Sequence, residues 1–183
     1  ISTATAKKYI SEVHYSFKNK NYFAIGFKND SGGWELRNKY YKNCSSPKDI
    51  THIKKGNGKL IVTEGVFDLL SLLSYNEILE AEYDFSVLNS TAFVSKAMEI
   101  MKGYLQIDLY LDNDTNGKRT TERLMAHSNN CLDKSMLYQG FKDMNEWLIS
   151  YSKKGLGQEA RDVSLLPQRQ TRFTPGGRKV REK

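Results

Sequence analysis

From about residue 57 onward the sequence alternates short apolar runs with segments of helical period, and this alternation restricts the chain more than any other feature. "KLIVTEG", "FSVLNS", "IDLYLDND" and "KSMLY" read as strands. "VFDLLSLLSYNEIL", "TAFVSKAMEIMKGY", "GKRTTERLMAHSNN" and "DMNEWLISYSKK" follow them as helices. Such a series predicts a mainly parallel, four-stranded α/β sheet with helices on both faces. Ligands of such sheets collect beyond the carboxyl ends of the strands. The polar residues there are Glu64, Ser90, Asp112, Asp114 and, after the fourth run, Asp143.

The segment before residue 57 differs. "VHYSFKNKNYFAIGFKNDSGGWELRNKYYKN" is aromatic and alternating, with "NDSGG" as a hairpin turn, and predicts a small antiparallel β subdomain. The expected organisation is therefore residues 1–56 as this subdomain, 57–155 as the α/β domain, and 156–183 as a basic disordered tail. Between Pro167 and Lys183 six basic residues stand against Glu182, which supplies five of the seven net positive charges. A basic chain favours a polyanionic partner, although such a tail serves solubility equally well.

No apolar run reaches the roughly 20 residues of a membrane helix, and the mean hydropathy of −0.61 fits a soluble protein. Cys44 and Cys131 are far apart and lack the spacing of a zinc site or a disulfide framework, so a cytoplasmic location is expected. The chain starts at Ile1 and reads as part of a longer protein. His14, His52 and His127 have no ligand at metal spacing and read as surface residues, and Asp108 as a solvated strand residue.

The stretch "LYLDNDTNGKR" holds the chemistry. A calcium loop would need Glu at its twelfth position, where Arg123 stands, and a helix rather than a strand before it. Asp-x-Asp-x-Thr after a strand also suits an aspartyl-phosphate nucleophile, but the strand comes third and too little chain follows to complete that site. Two carboxylates at a strand end, joined by Glu64 from a neighbouring strand, suit a hard cation for phosphate chemistry. Gly65 permits close approach of a phosphate, and Gly117 a tight turn with amides free for an anion.

"LIVTEGVFDLLSL" followed by "LYLDNDTNGKR" resembles the Glu-Gly and Asp-x-Asp-x-x-Gly motifs of the Toprim domain, a Rossmann-like fold. Further residues resemble the bacterial-type DNA primases, in particular those of mobile elements and plasmids. Glu64, Gly65 and Asp68 match a Glu-Gly-x-x-Asp pattern, "STA" loosely matches a Gly-Thr-Ala segment, and Lys142 and Asp143 match the start of a Lys-Asp-Pro-Asp segment. Asn145 replaces its second acid. In the β subdomain Arg37 and "KNCSSP", with Lys42, are similar to the basic positions of such primases, and Lys55 is a weaker candidate.

The resemblance implies Mg²⁺-dependent synthesis of RNA primers on single-stranded DNA, with Mn²⁺ as a substitute. Glu64, Asp112 and Asp114 would be catalytic and hold the metal, with Asp68 and Asp143 supporting a second ion. Arg37, Lys42, Lys55, Gly65 and Gly117 would meet nucleotide or nucleic acid. Single-stranded DNA, nucleoside triphosphates and a replicative helicase are the implied partners, and zinc would belong to an upstream module outside this chain. Asp68 and Asp143 also read as helix-terminus residues, and the tyrosines of "NKYYKN" as either base-stacking or core. The alternatives are a Toprim nuclease, and a non-catalytic DNA-binding Toprim protein.

Overall fold

The computed structural model describes residues 1–153; the expected basic tail lies outside the described residues. The chain forms two sheets. The first, of order β1-β2-β3-β4, is antiparallel throughout and consists of β1 (Ser11–Phe17), β2 (Lys20–Lys28), β3 (Trp34–Arg37) and β4 (Lys42–Cys44). Lys18 and Asn19, both at positive φ, make the two-residue turn between β1 and β2. The "NDSGG" turn forms as expected: the Asn29 side chain accepts from Ser31 and Gly33 amides at 3.2 and 2.8 Å. A short helix absent from the sequence expectation, α1 (Thr3–Tyr9), precedes this sheet and is capped by Ser2.

The second sheet has five strands in the order β5-β7-β6-β8-β9. They are β5 (Thr51–Ile53), β6 (Lys59–Thr63), β7 (Asp84–Val87), β8 (Gln106–Tyr110) and β9 (Cys131–Asp133). β6 to β9 pair in parallel, as the alternation predicts. β5 adds an antiparallel edge that the sequence did not announce. The helices are α2 (Val66–Tyr75), α3 (Leu79–Glu82), α4 (Val94–Met101), α5 (Thr115–His127) and α6 (Met144–Lys153).

Alternation along the strands sends side chains to both faces. Ile61, Phe85 and Val87 enter one core with α2, Tyr138 and Met144, while Leu60, Val62, Ile107 and Leu109 enter another with Val94, Ala97 and Leu124 of α4 and α5. Phe27 of the small sheet joins the first core, which ties the two sheets together. Asp49 adds a buried polar link, accepting from Lys96 Nζ and Ser31 Oγ, each at 2.6 Å.

Three expectations are corrected. The fourth strand is Cys131–Asp133, and "KSMLY" instead forms a 3₁₀ turn over Ser135–Tyr138. The cause is local: the Asp133 carboxylate accepts from Ser135 N at 2.9 Å and draws the chain out of the sheet. Asp108 is 3% exposed, not solvated, and accepts from Tyr83 Oη and Gln106 Nε2 at 3.1 and 2.9 Å. His52 is half-buried, its Nε2 2.7 Å from Tyr104 Oη, which donates in turn to the buried Asp84.

Candidate metal centre

The carboxyl ends of β6 and β8 meet the small sheet across a cleft of about 360 Å³. Its lining includes Glu64, Gly65, Asp68, Asp112, Asp114, Lys142 and Asp143 from the larger unit, and Glu35, Arg37 and Lys42 from the smaller. Local structure places each acid. β6 ends at Thr63, so Glu64 stands at the carboxyl end of the central strand and Asp68 one turn into α2. β8 ends at Tyr110, and Asp112 follows at 8% exposure. Asp114 caps α5, its Oδ1 accepting from Asn116 and Gly117 amides at 3.0 and 2.9 Å. Asp143 caps α6 by accepting from Glu146 N at 2.7 Å.

Asp68, Asp112 and Asp143 offer carboxylate oxygens that all lie within 4.8 Å of one another. Oxygens around an octahedral Mg²⁺ lie roughly 3–4 Å apart, so the three acids are grouped on the scale of one hard cation. The acids grouped by the structure thus differ in emphasis from the sequence grouping, which put Glu64 with Asp112 and Asp114. Glu64 supplies a separate sign of a missing partner: its Oε2 is buried without a hydrogen bond. An orphaned buried carboxylate oxygen is costly unless something cationic or a donor meets it.

Crowded carboxylates oppose one another's ionisation. Burial, then the charges of Asp112 and Asp114, raises the Glu64 pKa to about 7. Burial, then Asp143 and Asp112, raises Asp68 likewise to about 7. Burial also raises Asp112, opposed by the Lys142 ammonium 3.2 Å from its Oδ2. The same contact raises Lys142. The donor set is all oxygen and anionic, so these residues fit a hard divalent cation.

Two candidates are engaged elsewhere. Lys55 does not line the cleft; its ammonium donates to Glu80 O at 2.9 Å and lies over the Phe85 ring at 5.1 Å. Gly117 is needed for space rather than for a free amide, which Asp114 occupies. A Cβ at this position would fall 2.0 Å from Asp112 O, so only glycine lets α5 begin against that backbone. Gly65 does line the cleft, where a Cβ would sit 3.1 Å from Asp68 Oδ2.

Sequence reasoning missed Glu35, Asn89 and Asn113. Glu35 is two residues before Arg37, so strand periodicity could have put both on one face. Asn89, at φ 58°, donates its backbone N–H to Glu64 O at 3.0 Å, and its signal is only that of an Asn at a strand end. Asn145, where the motif has an acid, accepts from Ser71 Oγ at 3.1 Å and donates its amide to Asp68 Oδ1 at 3.3 Å.

Residues 61–148 match the family described as Toprim-like. This part of the chain is a Toprim-like domain. Residues 1–46 match a family described as a domain of unknown function (DUF8464). No curated protein sequence matches the chain.

The Toprim-like domain and its companion sheet together superpose on solved primase structures. The primase fragment of the bacteriophage T7 primase-helicase protein is 21% identical, with a TM-score of 0.61 over 87% of this chain and 69% of that one. A second match comes from bacteriophage T7 lagging-strand DNA polymerase interacting with primase domains of two gp4 subunits bound to an RNA/DNA hybrid and dTTP. It is 18% identical, with a TM-score of 0.62 over 87% of this chain and 86% of that one. At these identities the likeness is one of fold. Among the described residues no helix is long and apolar enough to cross a membrane.

Proposed function

We propose that the chain is the catalytic core of a primase-like nucleotidyltransferase, joining ribonucleotides on single-stranded DNA with release of pyrophosphate. One observation carries this reading: the acids of the Toprim-like domain and the basic Arg37 and Lys42 of the small sheet line the same cleft. A nucleotidyl transfer needs both, anionic ligands for a cation and cationic groups for the triphosphate.

Asp68, Asp112 and Asp143, with Glu64 and Asp114 beside them, would hold Mg²⁺ or Mn²⁺. A bound ion there would offset phosphate charge and favour ionisation of the attacking 3′-hydroxyl. Arg37 and Lys42 would bind phosphate from the opposite wall, and Lys142 would keep its charge beside Asp112. Strand binding draws support from a neighbouring apolar groove that shares Arg37 and Phe67 with the cleft. Phe23, Tyr40 and Tyr41 line it at 66%, 76% and 65% exposure, which favours the base-stacking role of these tyrosines over a core role. A helicase is the expected partner, since one T7 relative is itself a primase-helicase protein.

The deciding experiment is a gel. Single-stranded DNA and labelled ribonucleotides are incubated with Mg²⁺ or Mn²⁺, in parallel with end-labelled DNA and unlabelled ribonucleotides. The control is Asp112→Asn/Asp114→Asn. Labelled oligoribonucleotides that vanish in the control are the expected result. Shortened DNA that vanishes in the control would mean a nuclease, and salt-sensitive DNA binding with neither product a binding module.

A further inference from the structure

Asn113, the residue between the two aspartates, makes three hydrogen bonds to a single distant segment. Its backbone amide donates to Lys142 O at 2.6 Å. Its side-chain amide donates to Tyr138 O at 3.2 Å and Phe141 O at 3.0 Å. Both side-chain partners are carbonyls, so only the NH₂ group can face them and the amide orientation is fixed.

The segment so held, residues 138–142, leads directly into Asp143. Its start is anchored by Tyr138, 1% exposed, whose hydroxyl donates to Leu111 O at 2.7 Å. Its far end is held by Glu146, whose carboxylate accepts from Lys142 N and whose own amide donates to Asp143 Oδ1, both at 2.7 Å. Between these anchors Gly140 turns the chain at φ 87°. In that stretch Asn113 supplies two of the bonds from a side chain and one from its backbone. It therefore couples the strand end that carries Asp112 and Asp114 to the loop that carries Lys142 and Asp143.

We propose that Asn113 is a positioning residue for the cation site: its amide clamps the 138–142 segment so that Asp143 reaches Asp68 and Asp112. The inference rests on the cation reading of the cluster and assigns a role to the position between the aspartates. Without the clamp Asp143 remains the cap of α6, but the loop can carry that cap away from the other two acids. Asp143 then ceases to contribute to cation binding.

The test uses Asn113→Ala, and Asn113→Leu, which keeps most of the volume without the donors. Backbone hydrogen exchange of residues 138–143 is measured in metal-free protein. Mn²⁺ affinity is measured by electron paramagnetic resonance for wild type, Asn113→Ala, Asn113→Leu, Asp143→Asn and the double variant Asn113→Ala/Asp143→Asn. Both Asn113 variants are expected to melt cooperatively, to exchange faster at 138–143, and to bind Mn²⁺ about 10-fold more weakly, as for other residues that orient a ligand. Asp143→Asn should cost about 10-fold in the wild type and less than about 2-fold beside Asn113→Ala. Additive penalties in the double variant, or unchanged exchange in both Asn113 variants, overturn the role of Asn113 while leaving the cation site standing. Wild-type protein that takes up no Mn²⁺ refutes the cation reading, and this role with it.

Discussion

Replacing Asp68 by Asn should stabilise the metal-free protein at pH 8. Asp68 is 9% exposed and its pKa is raised from 3.8 to about 7, first by burial and then by Asp143 and Asp112. A raised carboxyl favours folding below its unfolded value near 3.8 and loses that advantage as the pH climbs towards 7. Above about pH 7 the ionised group carries its full cost, up to about 4 kcal/mol. Asn keeps an oxygen for the Asn145 amide and offers its own NH₂ to the neighbouring carboxylates. Urea unfolding in a chelator at pH 8 should then show a gain of about 2–4 kcal/mol, or a melting temperature higher by about 4–12 °C. The gain should shrink by about 2–3 kcal/mol at pH 5, where the folded wild type already holds the proton. Saturating Mg²⁺ should reverse the order, since the variant has lost a ligand. A variant that is no more stable than wild type at pH 8, or equally advantaged at pH 5, would refute the argument from crowded charge.

The Glu64 carboxyl, raised to about 7, must lose its proton to meet a cation, so divalent affinity should rise between pH 6 and pH 8. Calorimetry at pH 7 in buffers of different ionisation enthalpy should detect the released proton, and Glu64→Gln should diminish it. Gly117→Ala should cost about 3 kcal/mol or more and weaken Mn²⁺ binding, because its Cβ would fall 2.0 Å from Asp112 O. Gly103→Ala, whose Cβ would meet its nearest neighbour at 3.7 Å, is the matched control and should be nearly silent in denaturation. Finally, Arg37→Ala/Lys42→Ala should lower the salt slope of single-stranded DNA binding by about 1.4, at about 0.7 for each phosphate no longer neutralised. An unchanged slope in a fluorescence titration would remove both residues from the phosphate track.

What the sequence showed best was whatever depends on local period. The parallel strands β6 to β8, the helices between them and the acids at their ends all follow from alternation and from short motifs that one chain segment contains. Elements decided by distant partners were less legible. Asp108 reads like any solvated residue of a strand, and its burial makes sense only once Tyr83, just ahead of β7, joins Gln106 in donating to it. Lys55 resembles a phosphate binder until Glu80 and Phe85 are seen to hold it. β5 is three residues long and too short for periodicity to register; it exists because β7 offers it an edge. The Asp68–Asp112–Asp143 grouping joins three separate stretches of chain, so it required the fold.

The place of β5 has a consequence for any attempt to trim this protein. Thr51–Ile53 comes just after the small sheet in sequence, yet it closes the far side of the larger one against β7. A polypeptide cut at residue 61, where the Toprim-like family match begins, would leave Phe85, Ser86 and Val87 with bare backbone donors and acceptors along one margin of the sheet. Such a margin invites a second molecule to pair with it. The β-rich segment ahead of the Toprim-like domain therefore carries, besides one wall of the cleft, the strip that covers this rim of the larger sheet.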